Sequence, residues 1–186
     1  VFDHLKNCRR CKLCLGRTQV VVSRGKLESR IMLIGEAPGA DEDRTGLPFV
    51  GKAGQVLEKI LEQAQLNLND NIYVTNIVKC RPPNNRDPEL DEVRACADWL
   101  EQQIKAVAPK VIVTVGRIAS QCLLGGYFQR ITKSRGKVFN AYYSGIQCKI
   151  VPVFHPAYLL YNQNERAWNQ TVNDFILVRE IAFNEK

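Results

Sequence analysis

Apolar positions along the chain follow two rhythms. Residues 31–34, 72–78, 111–116 and 147–153 are short, nearly continuous apolar runs, rich in Val and Ile and bounded by turn residues. Such runs predict buried strands. Residues 138–143 form another extended stretch, joined to the last run around Ser144-Gly145. Between the strands the spacing becomes helical. In 51–65, Val56, Leu57, Ile60, Leu61 and Ala64 share one face, and further on Leu90, Val93, Ala97, Leu100, Ile104 and Val107 form one stripe. Asp87 and Pro88 read as the N-cap and first residue of that second helix, with Pro109 ending it. A short helix over 118–124 stops at Gly125-Gly126, and 165–183 predicts a closing helix. Strands alternating with helices imply a mostly parallel α/β sheet covered on both faces. With no repeat or low-complexity tract, residues 1–186 read as a single domain.

One connection stands apart. Between the first strand and the first long helix runs Gly35-Glu36-Ala37-Pro38-Gly39, then Asp41-Glu42-Asp43, then Gly46-Leu47-Pro48-Phe49-Val50-Gly51. A loop at the carboxyl end of a strand in an open α/β sheet is a ligand-binding position. Its glycines permit tight turns and its prolines stiffen it, but the acids argue against a phosphate cradle. Phe49 is a flat ring available for stacking; alone, it reads more readily as a core residue. Asp41 and Asp43 read as solvated.

Charge and cysteines narrow the picture. The net charge of +7 and pI near 9.1 favour an anionic partner, nucleic acid being the usual one. No apolar run is long enough to span a bilayer, and the first residues carry charges instead of a secretory leader, so a cytoplasmic protein without membrane attachment is expected. Seven cysteines cannot all pair, and their clustering points to a metal centre. Cys8, Cys11 and Cys14 repeat one spacing, with Cys80 and Cys96 downstream. Four thiolates suit zinc or an iron–sulfur cluster alike, and spacing does not separate them. Cys122 and Cys148 read as small buried hydrophobes.

The loop from Gly35 to Gly51 resembles the first motif of the family 4 uracil-DNA glycosylases, the iron–sulfur type of bacteria and archaea. The second motif of that family is matched by His155-Pro156-Ala157-Tyr158-Leu159-Leu160, and the context Asn76-Ile77-Val78-Lys79-Cys80-Arg81-Pro82-Pro83 is similar too. The resemblance runs from Cys8 to about Trp168. It implies a three-layer α/β/α sandwich around a central, mostly parallel four-stranded sheet, and an N-terminal cluster-binding segment. It also implies a [4Fe–4S] cluster on Cys8, Cys11, Cys80 and Cys96, with a structural role.

The activity implied is hydrolysis of the N-glycosidic bond of uracil flipped out of DNA, leaving an abasic site for base excision repair. The alternative within the superfamily is a non-catalytic or covalently trapping uracil-DNA-binding protein; a zinc-held nucleic-acid-binding domain is a third reading. On the resemblance, Phe49 stacks on the base and Asn76 reads its edge. His155 donates to the developing anion at O2, sharing it with backbone N–H groups of Glu36–Ala37. Ala37 stands where many relatives of this superfamily carry an Asp, so Glu42, helped by Asn85, is the expected water-positioning group. Glu36 shapes the pocket against the thymine methyl. Tyr158 or Leu159 enters the minor groove, while Lys133 and Arg135 meet phosphates with Thr132, Ser134, Lys137, Lys52 and Arg86. Tyr161 replaces an arginine frequent in the family. A nucleoid-associated monomer is expected, with a sliding clamp or downstream repair enzymes as candidate partners.

Overall fold

Residues along the central strands alternate between two cores. On one face Ile31 and Leu33 pack with Val111, Val113, Val151 and Val153; on the other lie Met32, Ile34, Ile112 and Ile150. Period-two alternation with both sets apolar is what a strand buried on both sides requires. The computed structural model describes residues 2–162 and 164–184, with the backbone alone for 161 and 162.

The strands are β1 (Ile31–Gly35), β2 (Ile72–Asn76), β3 (Val111–Val115), β4 (Phe139–Tyr143) and β5 (Ile146–Val153), ordered β2-β1-β3-β5-β4. The first four in that order run parallel, as expected; β4 adds a fifth, antiparallel strand at the edge. It arises because Ser144 and Gly145, both at positive φ, fold β4 and β5 into a tight hairpin. The expectation of four strands is corrected to five on this ground.

Helices α1 (Ala40–Thr45), α2 (Lys52–Gln63), α3 (Leu90–Val107), α4 (Gly116–Leu124), α5 (Ile131–Ser134), α6 (Pro156–Asn162) and α7 (Glu165–Phe183) connect and cover the sheet. Leu57, Ile60 and Leu61 of α2 join Phe175, Val178 and Ile181 of α7 over one face. Leu100 and Ile104 of α3 and Ala119 of α4 cover the other, together with Leu5 and Leu13 of the N-terminal segment. None of the helices among the described residues is long and apolar enough to cross a membrane.

The start of α3 differs from expectation. Glu89 is the N-cap, and Glu92 accepts its backbone N–H at 2.8 Å in a capping box. Glu92 is fully buried and takes both Arg86 guanidinium nitrogens at 2.9 and 2.7 Å, which draws the helix start past Pro88. Leu90, expected on the buried stripe, is therefore exposed in the first turn. Two short helices in the motifs, α1 and α6, also escape periodicity, because each is barely longer than a turn or two.

Candidate active site

A cleft of about 520 Å³ opens at the carboxyl ends of β1, β2 and β5. Its walls bring together Glu36, Glu42, Phe49, Asn76, Asn85 and His155, residues drawn from four separate stretches of chain. Ala37 lines it as well. This is the position at which open parallel sheets bind ligands.

Gly35, the last residue of β1, explains how Phe49 and Asn76 can both reach the floor. A Cβ there would overlap Asn76 Oδ1 and stand 2.6 Å from Phe49 Cζ. Only a residue without a side chain lets both close on the strand end. Asn76, at 2 % exposure, has its backbone fixed by register against Gly35, and the next amide, Ile77 N–H, donates to Gly35 C=O at 2.8 Å.

Phe49 is held in a left-handed backbone conformation, φ 54°, uncommon for an aromatic residue. Two clamps sustain it. Arg24 Nη1 donates to the Pro48 and Phe49 carbonyls at 3.3 Å each. Glu42 Oε1 accepts Val50 N–H and Gly51 N–H at 2.9 Å each, while its Oε2 accepts Gly39 N–H at 3.1 Å. Glu42 thus ties both ends of the loop together as well as facing the cleft. Strain concentrated at such a position is a mark of functional sites.

His155 follows β5 and packs on Gly116, whose φ of 83° starts α4; a Cβ there would lie 3.0 Å from His155 Cβ. Ala157 N–H donates to His155 Nδ1 at 3.1 Å. An Nδ1 that accepts carries no proton, so the neutral ring has its N–H at Nε2. Burial holds the imidazole pKa below its ordinary value, which favours that neutral form. The ring centroid lies 6.4 Å from that of Phe49.

Glu36 is the electrostatic outlier of the cleft. Burial first, and the neighbouring Asp87 carboxylate second, push its pKa up to about 7, with Arg117 opposing. Asp87, read from sequence as a helix cap, instead accepts Arg117 Nη2 at 2.7 Å across the cleft rim. Neither Asp87 nor Arg117 was legible as a site residue, since their pairing depends on α4 packing beside the loop before α3. Asn85 also lies on the rim, and its Oδ1 accepts Arg81 Nε at 2.8 Å.

Around the cleft several expectations change. Leu159 is 4 % exposed within the core beneath α6, so it is not available to enter a groove. Tyr158, 42 % exposed, faces outward and stacks on Phe154 at 5.0 Å. The helical phase of α6 makes that division. Lys133 is exposed, but Arg135 is ion-paired to Asp174 through both Nε, at 2.8 Å, and Nη2, which takes it out of the free cations. Arg86 is likewise committed to Glu92. Asp43 is buried, not solvated, and its Oδ1 accepts Thr18 N–H at 2.9 Å and Gln19 N–H at 3.4 Å. The side chain of Tyr161 lies outside the described residues.

The cysteines gather on the opposite side of the sheet from α2. Cys8, Cys11, Cys80 and Cys96 all join the apolar cluster that includes Leu5, Leu13, Val78 and Trp99. Trp99 Nε1–H donates to Cys8 Sγ at 3.4 Å and Arg17 Nη1 to Cys80 Sγ at 3.2 Å. Cys80 senses the charge of Cys96 and Cys11, and Cys96 that of Cys11 and Cys8. Burial raises the thiol pKa of Cys80 to about 11 and pushes those of Cys11 and Cys96 upward. Cys14 adjoins Cys11. Cys148 is buried as expected; Cys122 is exposed on α4, contrary to the expectation of a buried residue, because its position on that short helix turns outward. No group of three or more His, Cys, Asp or Glu side chains among the described residues is placed so that it could hold a metal ion.

Comparison with known proteins decides the family. A profile of the uracil DNA glycosylase superfamily matches residues 22–176. A type-4 uracil-DNA glycosylase of Sulfurisphaera tokodaii is 43 % identical over 100 % of this chain and 85 % of its own length. The type-4 enzyme of Thermotoga maritima is 44 % identical over 88 % of this chain and 83 % of its own length. This chain belongs to the type-4 uracil-DNA glycosylases. A further type-4 uracil-DNA glycosylase, from Archaeoglobus fulgidus, is 39 % identical over 98 % of this chain and 92 % of its own. Phe49, Asn76 and His155, singled out in the sequence motifs, line the cleft together.

Proposed function

We propose that the protein removes uracil from DNA by hydrolysing the N-glycosidic bond, leaving an abasic site and an uncut strand. The observation that carries this reading is the convergence of Phe49, Asn76 and His155 on one cleft, with His155 Nε2–H fixed as a donor by the Ala157 amide.

Uracil in a duplex is stacked, so it must be rotated out before a pocket can hold it. The Phe49 ring supplies a face for the flipped base. The Asn76 amide offers one donor and one acceptor, which matches uracil O4 and N3–H; cytosine presents the reverse pair and would leave buried polar groups unpaired. As the C1′–N1 bond breaks, its electron pair leaves with the base and the charge spreads to O2. A neutral imidazole donating from Nε2 stabilises that charge most when it is greatest. The sugar gains oxocarbenium character, water adds at C1′ and loses a proton, and the uracil anion is protonated on release. Glu42, whose carboxylate is anchored by three backbone N–H groups, positions that water with the Asn85 amide. Glu36 narrows the cleft beside the base. Lys133 and Lys52 are exposed cations for backbone phosphates, and Tyr158 is the outward ring for the vacated stack.

Cys8, Cys11, Cys80 and Cys96 would hold a [4Fe–4S] cluster. The donor chemistry fits: the four cysteines lie in one apolar cluster, and cationic or N–H donors turn toward the sulfurs of Cys80 and Cys8, as a net-negative thiolate centre requires. Held by these residues, a cluster would supply a staple between the N-terminal segment and the β2–α3 region. Protein purified without air and showing iron with broad visible absorption supports this; colourless protein carrying zinc refutes it.

The test of the activity is incubation with a uracil-containing duplex oligonucleotide. Strand cleavage only after alkali is the expected result. An oligonucleotide that survives alkali in every buffer, with metal-loaded protein, overturns the reading.

A further inference from the structure

Lys79 is 1 % exposed, among the most deeply buried side chains of the fold. A lysine in an interior needs partners, because removing an ammonium from water is costly unless it is paired. Its Nζ donates to Thr75 Oγ1 at 2.9 Å and to the Asn76 main-chain carbonyl. No carboxylate is among these partners. The ionisable groups acting on it are Cys96 and Cys80, and its own backbone N–H also turns to Cys96.

Lys79 therefore stands between two sites. On one side is the thiol centre; on the other is the peptide that carries the Asn76 amide. A polar network surrounds the contact. Thr75 Oγ1 donates to the Val22 carbonyl at 2.8 Å and lies 3.2 Å from Gln103 Oε1, while Gln103 Nε2 donates to Val22 C=O at 3.1 Å and Tyr73 OH at 3.2 Å. Gln103 and Thr75 are buried, so this network cannot relax into solvent. A base-reading amide must hold its angle within narrow limits, since a shift of about 1 Å costs on the order of 100-fold in rate.

We propose that Lys79 is a positioning residue for base recognition, fixing the Asn76 peptide from behind while facing the cysteine centre, so that the metal-binding and base-binding sites are joined through one side chain. The inference rests on the reading of Asn76 as the group that recognises uracil.

The test uses Lys79→Met, which keeps length and removes the donor, and Thr75→Val, which keeps shape and removes the hydroxyl. Four quantities are measured on metal-loaded protein: metal per chain, affinity for undamaged duplex, equilibrium binding of free uracil, and single-turnover excision. For Lys79→Met, metal content and duplex affinity should stay within about twofold of the parent, while uracil affinity falls about 10-fold and excision about 10- to 100-fold. Thr75→Val should show the same split at about threefold. Parent-like uracil binding in both variants overturns the inference, as does a parallel loss of metal, duplex and uracil binding. If Lys79→Met does not fold, Thr75→Val decides alone. A parent protein that neither binds nor excises uracil would instead overturn the reading of the activity.

Discussion

The backbone N–H of Ala157 points at His155 Nδ1 from 3.1 Å, so the second motif sets the tautomer of its own histidine. The bond closes over two residues and needs no partner from elsewhere in the fold. Because the donor faces the cleft from Nε2, His155→Ala should slow excision about 100- to 1,000-fold, the range for losing one oxyanion donor. Affinity for duplex should change by less than about threefold, as measured by single-turnover kinetics beside equilibrium binding. Equal losses in both would show that His155 grips DNA instead.

Glu36 gives the fold a pH signature. Its folded pKa is raised to about 7 from an ordinary 4.5. Between these values the folded state binds more protons than the unfolded, so stability falls as pH rises across that window and levels off above it. Glu36→Gln removes the titration. Its melting temperature should gain on the parent steadily from pH 4.5 to 7, and a constant difference between the two would contradict the raised pKa.

Gly35→Ala tests the floor of the cleft. The added methyl overlaps Asn76 Oδ1 and crowds the Phe49 ring, both of which must move. Overpacking of this kind costs about 1–3 kcal/mol, leaving a folded protein. Excision should fall at least about 10-fold, with secondary structure by circular dichroism unchanged.

Tyr158 and Leu159 are adjacent in sequence and opposite in consequence. Leu159→Ala opens a hole in the core and should cost about 2–5 kcal/mol in denaturant unfolding. Tyr158→Ala should cost less, about 0.5–1.5 kcal/mol for the lost stacking on Phe154, and weaken binding to uracil-containing DNA. The reverse pattern would place Leu159, not Tyr158, at the DNA.

Much of this site was legible because its chemistry sits in ordered motifs at strand ends. Asn76 ends an apolar strand, His155 comes just after another, and Phe49 sits in the loop after a third; parallel topology carries those strand ends to one edge of the sheet. What could not be read depends on packing phase or on distant partners. The one-residue difference between Tyr158 and Leu159 is decided by how α6 rolls against α2. Arg135 looked like a free cation until Asp174, far along the chain, was brought beside it. Asp43 sat in an acidic run that suggested solvent, yet backbone amides from the N-terminal segment bury it. Glu42 was singled out for chemistry, and the loop closure it performs became visible only once Gly39, Val50 and Gly51 were seen to converge on it.

The seam at Asp43 has a further consequence. Thr18 and Gln19 lie just after the cysteine-bearing start of the chain, and their amides, with the Gln19 amide side chain on Arg44 C=O at 2.7 Å, fasten that start to α1. If the cysteines hold the proposed cluster, removing it would free the anchor of this seam, and a protease should then nick the stripped chain first around residues 39–46, ahead of any cut within the sheet. On the proposed reading of the cysteines, the mouth of the cleft would loosen before the sheet does.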